Sequence, residues 1–241
     1  MLIDSPRLTD EDRAAWVALS RRFRRPAWQV DQRARLAQGH LRRFLAKGPA
    51  HVAVSWGKDS ITVAHLTRGM DVDVPLCWVL MDGLQEGAVN PDCLAVRDAF
   101  LDRWPSNYVE IHGAAEGNRW AWNVALGNVR KQLGDRRIMG IRATESGSRM
   151  LSAMVHGVAT ERVCRPILHW STAEVFAYLL RHDLPIHPAY AMSRGGRLDI
   201  ERLRVDFLGG ETGNDQGRGA WERHYYRDCA PYSVPPPEVR P

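Results

Sequence analysis

The chain reads as an α/β protein with an open, mainly parallel five-stranded sheet and helices on both faces. A helical N-terminal extension precedes the sheet and an irregular C-terminal tail follows it. Three observations predict this. After Gly48-Pro49, short apolar runs alternate with helix-length segments, which is the pattern of consecutive βαβ units. Val74 to Met81 is apolar almost throughout, as befits a strand covered on both faces. With 241 residues, 44% hydrophobic and 25% charged, the chain can fill one principal core but is marginal for two.

The order of elements follows from local signals. Asp10, Glu11 and Asp12 place acid at a helix start, and Trp16, Val17, Leu19 and Phe23 form its apolar side. Pro26 separates this helix from a second over Val30 to Leu45, with Leu36, Leu41, Phe44 and Leu45 turned inward. The spacing then predicts a strand over His51 to Ser55, a helix over Asp59 to Arg68, and a strand over Val74 to Met81 that ends at Asp82-Gly83. Helices are expected over Pro91 to Arg103 and Asn118 to Leu133, and strands over Tyr108 to His112, Arg137 to Ile141 and Val163 to Ile167. Ser171-Thr172-Ala173-Glu174 is a capping box opening a helix, because the serine and glutamate can satisfy each other's backbone N–H groups. A short helix is expected near Gly219 to Tyr226. The organisation expected is therefore 1–47 helical extension, 48–190 α/β domain, and 191–241 an Arg/Gly-rich segment that could close as a lid.

Composition narrows the function classes. Cys77, Cys93, Cys164 and Cys229 are scattered with no CxxC pair, a reduced, cytoplasmic pattern. No run approaches the roughly 20 apolar residues of a membrane span, so a soluble protein is expected. The net charge of +5 is carried almost wholly by arginine, since lysine occurs only at Lys47, Lys58 and Lys131. Arg21, Arg22, Arg24, Arg25, Arg33, Arg35, Arg42 and Arg43, interleaved with Phe23 and Trp28, leave two readings open. They are either the polar faces of two surface helices or a surface for nucleic-acid phosphates.

The segment Ser55-Trp56-Gly57-Lys58-Asp59-Ser60 carries the chemistry. It sets a glycine turn after a buried strand and at a helix N-terminus, where backbone N–H groups and the helix dipole converge on an anion. Ser55 and Ser60 add hydroxyls, Lys58 a point charge, and Asp59 a cap or a Mg²⁺ ligand. The spacing is not that of a Walker A loop. Arg142 and Arg149 fall at and beyond the end of the fourth strand, on the sheet edge where such folds bind ligands, and Asp82 falls on the same edge. Trp170 reads as a buried aromatic at a helix start, and His187 and Tyr190 as structural residues near the rim.

Ser-x-Gly-x-Asp-Ser resembles the pyrophosphate motif of the adenine nucleotide α-hydrolase superfamily, which includes N-type ATP pyrophosphatases and phosphoadenosine phosphosulfate (PAPS) reductases. With Lys58 ahead of Asp59-Ser60 it looks most like the reductase branch. Gly140-Ile141-Arg142, with Arg149 following, is similar to that branch's Gly-Ile-Arg stretch. Arg165-Pro166-Ile167-Leu168-His169-Trp170-Ser171 and Leu184-Pro185-Ile186-His187-Pro188-Ala189-Tyr190 agree with its later motifs. The likeness covers about Ala50 to Tyr190. It implies ATP or PAPS as the nucleotide, with Mg²⁺, on a site of Ser55, Trp56, Gly57, Lys58, Asp59, Ser60, Asp82, Gly140, Arg142 and Arg149. Lys58, Asp59 and Arg142 would act catalytically.

The chain departs from that family in two places. The C-terminal Glu-Cys-Gly-Leu-His type motif that supplies a nucleophilic thiolate is missing, and Cys229 in Arg227-Asp228-Cys229-Ala230-Pro231 is the candidate in its place. The paired cysteines of iron–sulfur relatives are absent, so no cluster is expected. The leading expectation is an enzyme cleaving ATP, or a related nucleotide, at the α-phosphate to activate an unknown acceptor. Sulfonucleotide reduction through Cys229 is the runner-up. A nucleic-acid-modifying protein and a nucleotide sensor without turnover complete the alternatives, and a homodimer is compatible with each.

Overall fold

The computed structural model describes residues 1–81, 89–113, 119–192, 200, 203, 205, 208 and 218–229. Helices α1 (Asp10–Phe23) and α2 (Ala27–Leu45) come first. The α/β part runs β1 (His51–Ala53), α3 (Lys58–Thr67), β2 (Leu76–Met81), α4 (Pro91–Arg103), β3 (Tyr108–Gly113), α5 (Arg119–Leu133) and β4 (Arg137–Met139). It continues through α6 (Gly147–His156), β5 (Val163–Cys164) and α7 (Thr172–Arg181), and α8 (Arg218–Tyr225) closes the described chain. All five strands are parallel, in the order β3-β2-β1-β4-β5.

That order places the site. From β1 the chain steps to β2 and β3 on one side, then returns across the sheet to β4 on the other. β1 and β4 therefore flank the topological switch point, where open α/β sheets form a crevice at the carboxyl ends of their strands. Alternation along β2 serves both faces. Leu76, Trp78 and Leu80 enter the main core, whereas Cys77 and Val79 join Ile111, Ala125 and Val129 under α5.

The starts of the helices obey their caps. Thr9 caps α1 in a reciprocal box with Asp12, and Asn90 caps α4 with Pro91 in its first turn. Ser171 and Glu174 form the box expected at α7. The N-terminal extension is packed into the main core. Phe23 stacks on Phe176 of α7 at 4.7 Å between ring centroids, Trp16 meets the same ring edge-on at 5.7 Å, and Tyr190 does so at 5.4 Å. Phe176 thus joins α1, α7 and the site residue Tyr190. Among the described residues no helix is long and apolar enough to cross a membrane.

Two differences from the sequence reading have physical causes. Leu36, read as inward, is 57% exposed, because α2 begins at Ala27 and turns Val30, Ala37, Leu41 and Phe44 to the core. Helix α6 was not anticipated. Its Met150, Leu151, Met154 and Val155 form an apolar stripe at helical spacing that faces solvent, and only Ala153 is buried.

Phe176→Ala should cost about 3–5 kcal/mol, the range for emptying a buried aromatic site. Urea unfolding followed by tryptophan fluorescence measures this, and a single transition is expected because α1, α7 and Tyr190 share that ring. A second expectation concerns acid. Burial first, then the nearby His182, Arg68 and Arg103, lower the pKa of His65 from 6.5 to about 4. The folded state therefore favours neutral imidazole while the unfolded chain takes up protons below 6.5. This contribution to stability is complete above pH 6.5 and is lost as pH falls toward 4. His65→Gln should flatten the pH dependence of the urea midpoint across that window.

Candidate functional site

The loop between β1 and α3 is fixed from below by Trp56. Its φ of 57° lies in the left-handed region, a conformation that costs a bulky residue on the order of 1–3 kcal/mol. Full burial of the indole against Trp78, Phe100 and Tyr108, with centroids 5.6–6.3 Å away, holds it there. Gly57 is the N-cap of α3 and has no side chain to cap the helix, so that of the first-turn amides only that of Lys58 is given a side-chain partner, from elsewhere in the fold. The N–H of Lys58 donates to Tyr190 Oη at 3.2 Å. Ser60 Oγ accepts from the Ser55 N–H at 3.2 Å and donates to the Gly57 carbonyl at 3.1 Å, closing the turn on itself.

The end of β4 presses directly on this helix start. A Cβ at Gly140 would lie 2.6 Å from the Asp59 carbonyl carbon and 2.7 Å from both its oxygen and the Ser60 nitrogen. Only glycine permits so close an approach of two backbones.

Behind the loop the charges alternate in a chain. Lys58 Nζ lies 2.7 Å from Asp59 Oδ2, and Arg142 Nε lies 2.7 Å from Asp59 Oδ1. Arg142 Nη2 is 3.7 Å from Glu145 Oε1, and Glu145 makes a close ion pair with Arg149. Three cations and two carboxylates thus alternate along the group. Lys58 is 2% exposed and Arg142 0%, so both sit under the loop, whereas Arg149 lines the cleft.

That cleft has a volume of about 750 Å³ and runs along β1 and β4 from His51 and Arg137 at their amino ends to Ser55 and Gly140 beyond their carboxyl ends. Ser55, Gly57, Asp59, Ser60 and Gly140 form its polar end. Ala53, Val79 and Met139 on the strands and Leu126 on α5 form an apolar stretch beside it. Its size lies within the usual range for small-molecule sites.

A profile of the phosphoadenosine phosphosulfate reductase domain matches residues 49–194. The chain belongs to this family. Among curated relatives, the phosphoadenosine 5'-phosphosulfate reductase of Xanthomonas euvesicatoria pv. vesicatoria is 26% identical over 186 residues, covering 67% of this chain and 72% of its own. The enzyme of the same name from Xylella fastidiosa is 22% identical over 185 residues, covering 66% and 76%. A solved structure of phosphoadenylyl-sulfate reductase from Candida auris, a phosphate complex, covers 73% of this chain and 96% of its own at 11% identity, with a TM-score of 0.49.

Within this PAPS reductase domain, Ser55, Gly57, Asp59, Ser60, Gly140 and Arg149 come together on the cleft. Three expectations need correction. The Trp56 side chain supports the loop from the core and does not line the cleft. Lys58 and Arg142 are turned away from the cleft to hold Asp59 from behind, so their direct contact is with that carboxylate. Asp59 in turn is a poor Mg²⁺ ligand, because each of its oxygens already faces a cation at 2.7 Å. The described residues contain no group of three or more His, Cys, Asp or Glu that could hold a metal. Asp82 lies outside the described residues, as do Arg197, Arg202 and Arg204 of the expected lid.

Glu145 and Tyr190 belong to the site but were not assigned to it from sequence. The spacing Arg142-x-x-Glu145-x-x-x-Arg149 carried a signal for Glu145, since residues three and four apart on a helical turn meet. Tyr190 reaches Lys58 across 132 residues of chain, and only the fold brings it there. Burial and the Asp59 carboxylate push its phenol above the ordinary range. His187 is fully buried, accepts the Ala189 N–H at its Nδ1, and is held neutral with a pKa lowered to about 3. It is structural, as is the buried Trp170.

Cys229 is half-buried and does not line the described cleft. Arg7 donates to its sulfur at 3.2 Å. Burial raises the thiol pKa, an effect that the Arg7 charge opposes and the neighbouring Asp228 reinforces.

Gly140→Ala should force β4 and the loop apart. About 1–3 kcal/mol of stability is expected to be lost, the usual range for overpacking. Thermal unfolding with and without pyrophosphate checks both consequences: a lower midpoint, and a much smaller shift on adding the anion.

Proposed function

We propose that this chain acts on a sulfonucleotide of the PAPS type, holding the anionic end in the loop 55–60 and the base along the apolar stretch of the cleft. One observation carries the reading. The uncapped start of α3 opens beside Arg149 into a cleft at the sheet's switch point, in a domain of the PAPS reductase family. The first-turn amides and Arg149 would take the phosphate or sulfate oxygens by charge-assisted hydrogen bonds. Lys58 and Arg142 would hold Asp59, and with it the start of α3, in place.

In this reading a thiolate attacks the sulfonate sulfur. A sulfur–sulfur bond forms, the bond between sulfur and the phosphate oxygen breaks, and the nucleotide leaves as PAP. A second thiol from an external donor then releases sulfite and leaves a disulfide. Cys229 is this chain's candidate nucleophile. Cys77 and Cys164 are buried, with pKa values pushed up to about 11 and about 12, and Cys93 is fully buried.

A second reading is cleavage of ATP at the α-phosphate to adenylate an acceptor. It is favoured by the position of Cys229, whose sulfur sits against Arg7 and outside the described cleft. In that reaction the loop would stabilise the departing pyrophosphate and no thiol would take part.

The two chemistries separate in one experiment. The protein is incubated with PAPS plus a thiol donor and, in parallel, with ATP, and products are resolved as sulfite, PAP, AMP and pyrophosphate. Sulfite and PAP from the parent, abolished in Cys229→Ser, are the expected result. AMP and pyrophosphate from ATP, undiminished in Cys229→Ser, would select the second reading. Arg149→Ala should weaken nucleotide binding about ten- to a hundredfold under either, the usual range for losing a hydrogen bond to a charged group.

A further inference from the structure

The outer face of α2 has a charge distribution that the nucleotide site does not use. Between Arg21 and Lys47 there are nine arginines and lysines and a single carboxylate, Asp31. Both oxygens of Asp31 are engaged by Arg181 of α7 at 2.8 Å, and Arg33 is engaged by Glu174 at 2.6 Å. Arg35 and Arg42 have no ion-pair partner among the described residues. On α2, Trp28, Arg35 and Arg42 follow one another at seven-residue steps and so share a stripe that drifts only about 20° per step. From Trp28 to Arg42 it extends about 21 Å at 1.5 Å per residue. The positions that fill the same face, Gln32, Gly39 and Ala46, are uncharged or small.

Beside this stripe lies a second groove, of about 350 Å³, between α2 and the start of α7. Its outer wall is Trp28, which is 63% exposed, and Leu36, its floor includes the buried Val30 and Trp170, and Arg25 and Arg33 stand at the rim. An indole left this open adds little to folding, but it offers a flat π surface next to a row of guanidinium groups. Repeating phosphates with unstacked bases between them fit that pairing of features. Duplex nucleic acid does not, because its bases are stacked on one another and show no free face.

We propose that this face of α2 binds single-stranded nucleic acid, with one base against Trp28 in the groove and the backbone phosphates along Arg35 and Arg42. The surface is separate from the loop 55–60, so the proposal stands whichever nucleotide reaction the chain performs.

The test is fluorescence anisotropy with a labelled 20-nucleotide oligomer, as RNA and as DNA, alongside the corresponding duplex and a polyglutamate peptide, between 50 and 200 mM salt. The single strands are expected to bind with log K falling linearly in log salt, at a slope of about −0.7 per phosphate contact. Arg35→Ser with Arg42→Ser should make that slope shallower by about 1.4. Trp28→Ala should weaken single-strand binding by about tenfold or more and leave the duplex unchanged. All three positions are exposed, so unchanged urea midpoints and unchanged nucleotide binding are expected of each variant. The proposal is overturned if the single strands fail to bind at 50 mM salt. It is overturned equally if neither variant alters their affinity, or if polyglutamate binds as tightly as the oligomer with the same response to Trp28→Ala.

Discussion

The Asp59 carboxylate, held between Lys58 and Arg142, is the contact on which the site depends. It ties the start of α3 to the segment following β4, the two elements that flank the switch point of the sheet. Gly140 makes the tie possible by letting the two backbones meet without an intervening side chain. Buried charges are costly unless each has a partner, and stripping one partner from such a pair typically costs about 3–5 kcal/mol. The arrangement therefore fixes the start of α3 against the end of β4.

The rest of the fold converges on that loop. Trp56 anchors it in the core from below, Tyr190 holds the first amide of α3 from the side, and Phe176 links Tyr190 to α1. The N-terminal helices thus bear on the site through a chain of packed rings. Cys229, by contrast, is held near the N-terminal segment by Arg7, while Tyr225 and Tyr226 of the same stretch donate to Asp12 and Asp92. Sulfonucleotide reduction requires that sulfur to reach the cleft, whereas adenylation does not.

Much of the fold was legible because local chemistry and tertiary packing agree. The capping box at Ser171 and Glu174, the uniformly apolar β2, and the glycine turn at Gly57 each announce an element that the core then uses. Helix α6 was not anticipated although Met150-Leu151 and Met154-Val155 stand at helical spacing; that this stripe faces outward is decided by the fold. The site was legible as a set of residues but not as a geometry. Sequence names Lys58 and Arg142 as cations near a phosphate turn. That both lie beneath the loop follows from the position of Asp59, which only the meeting of β4 with α3 determines. Tyr190 illustrates the same limit, since its partner is fixed by the fold and not by spacing.

The central claim is that the amides at the start of α3 are an anion site preformed at the junction of β1 and β4. Amide hydrogen exchange with and without PAPS tests it most directly. The account predicts slower exchange on ligand addition concentrated at residues 57–61 and 140–149, with the amides of α2 unchanged. Protection appearing elsewhere while residues 57–61 exchange at the ligand-free rate would contradict it.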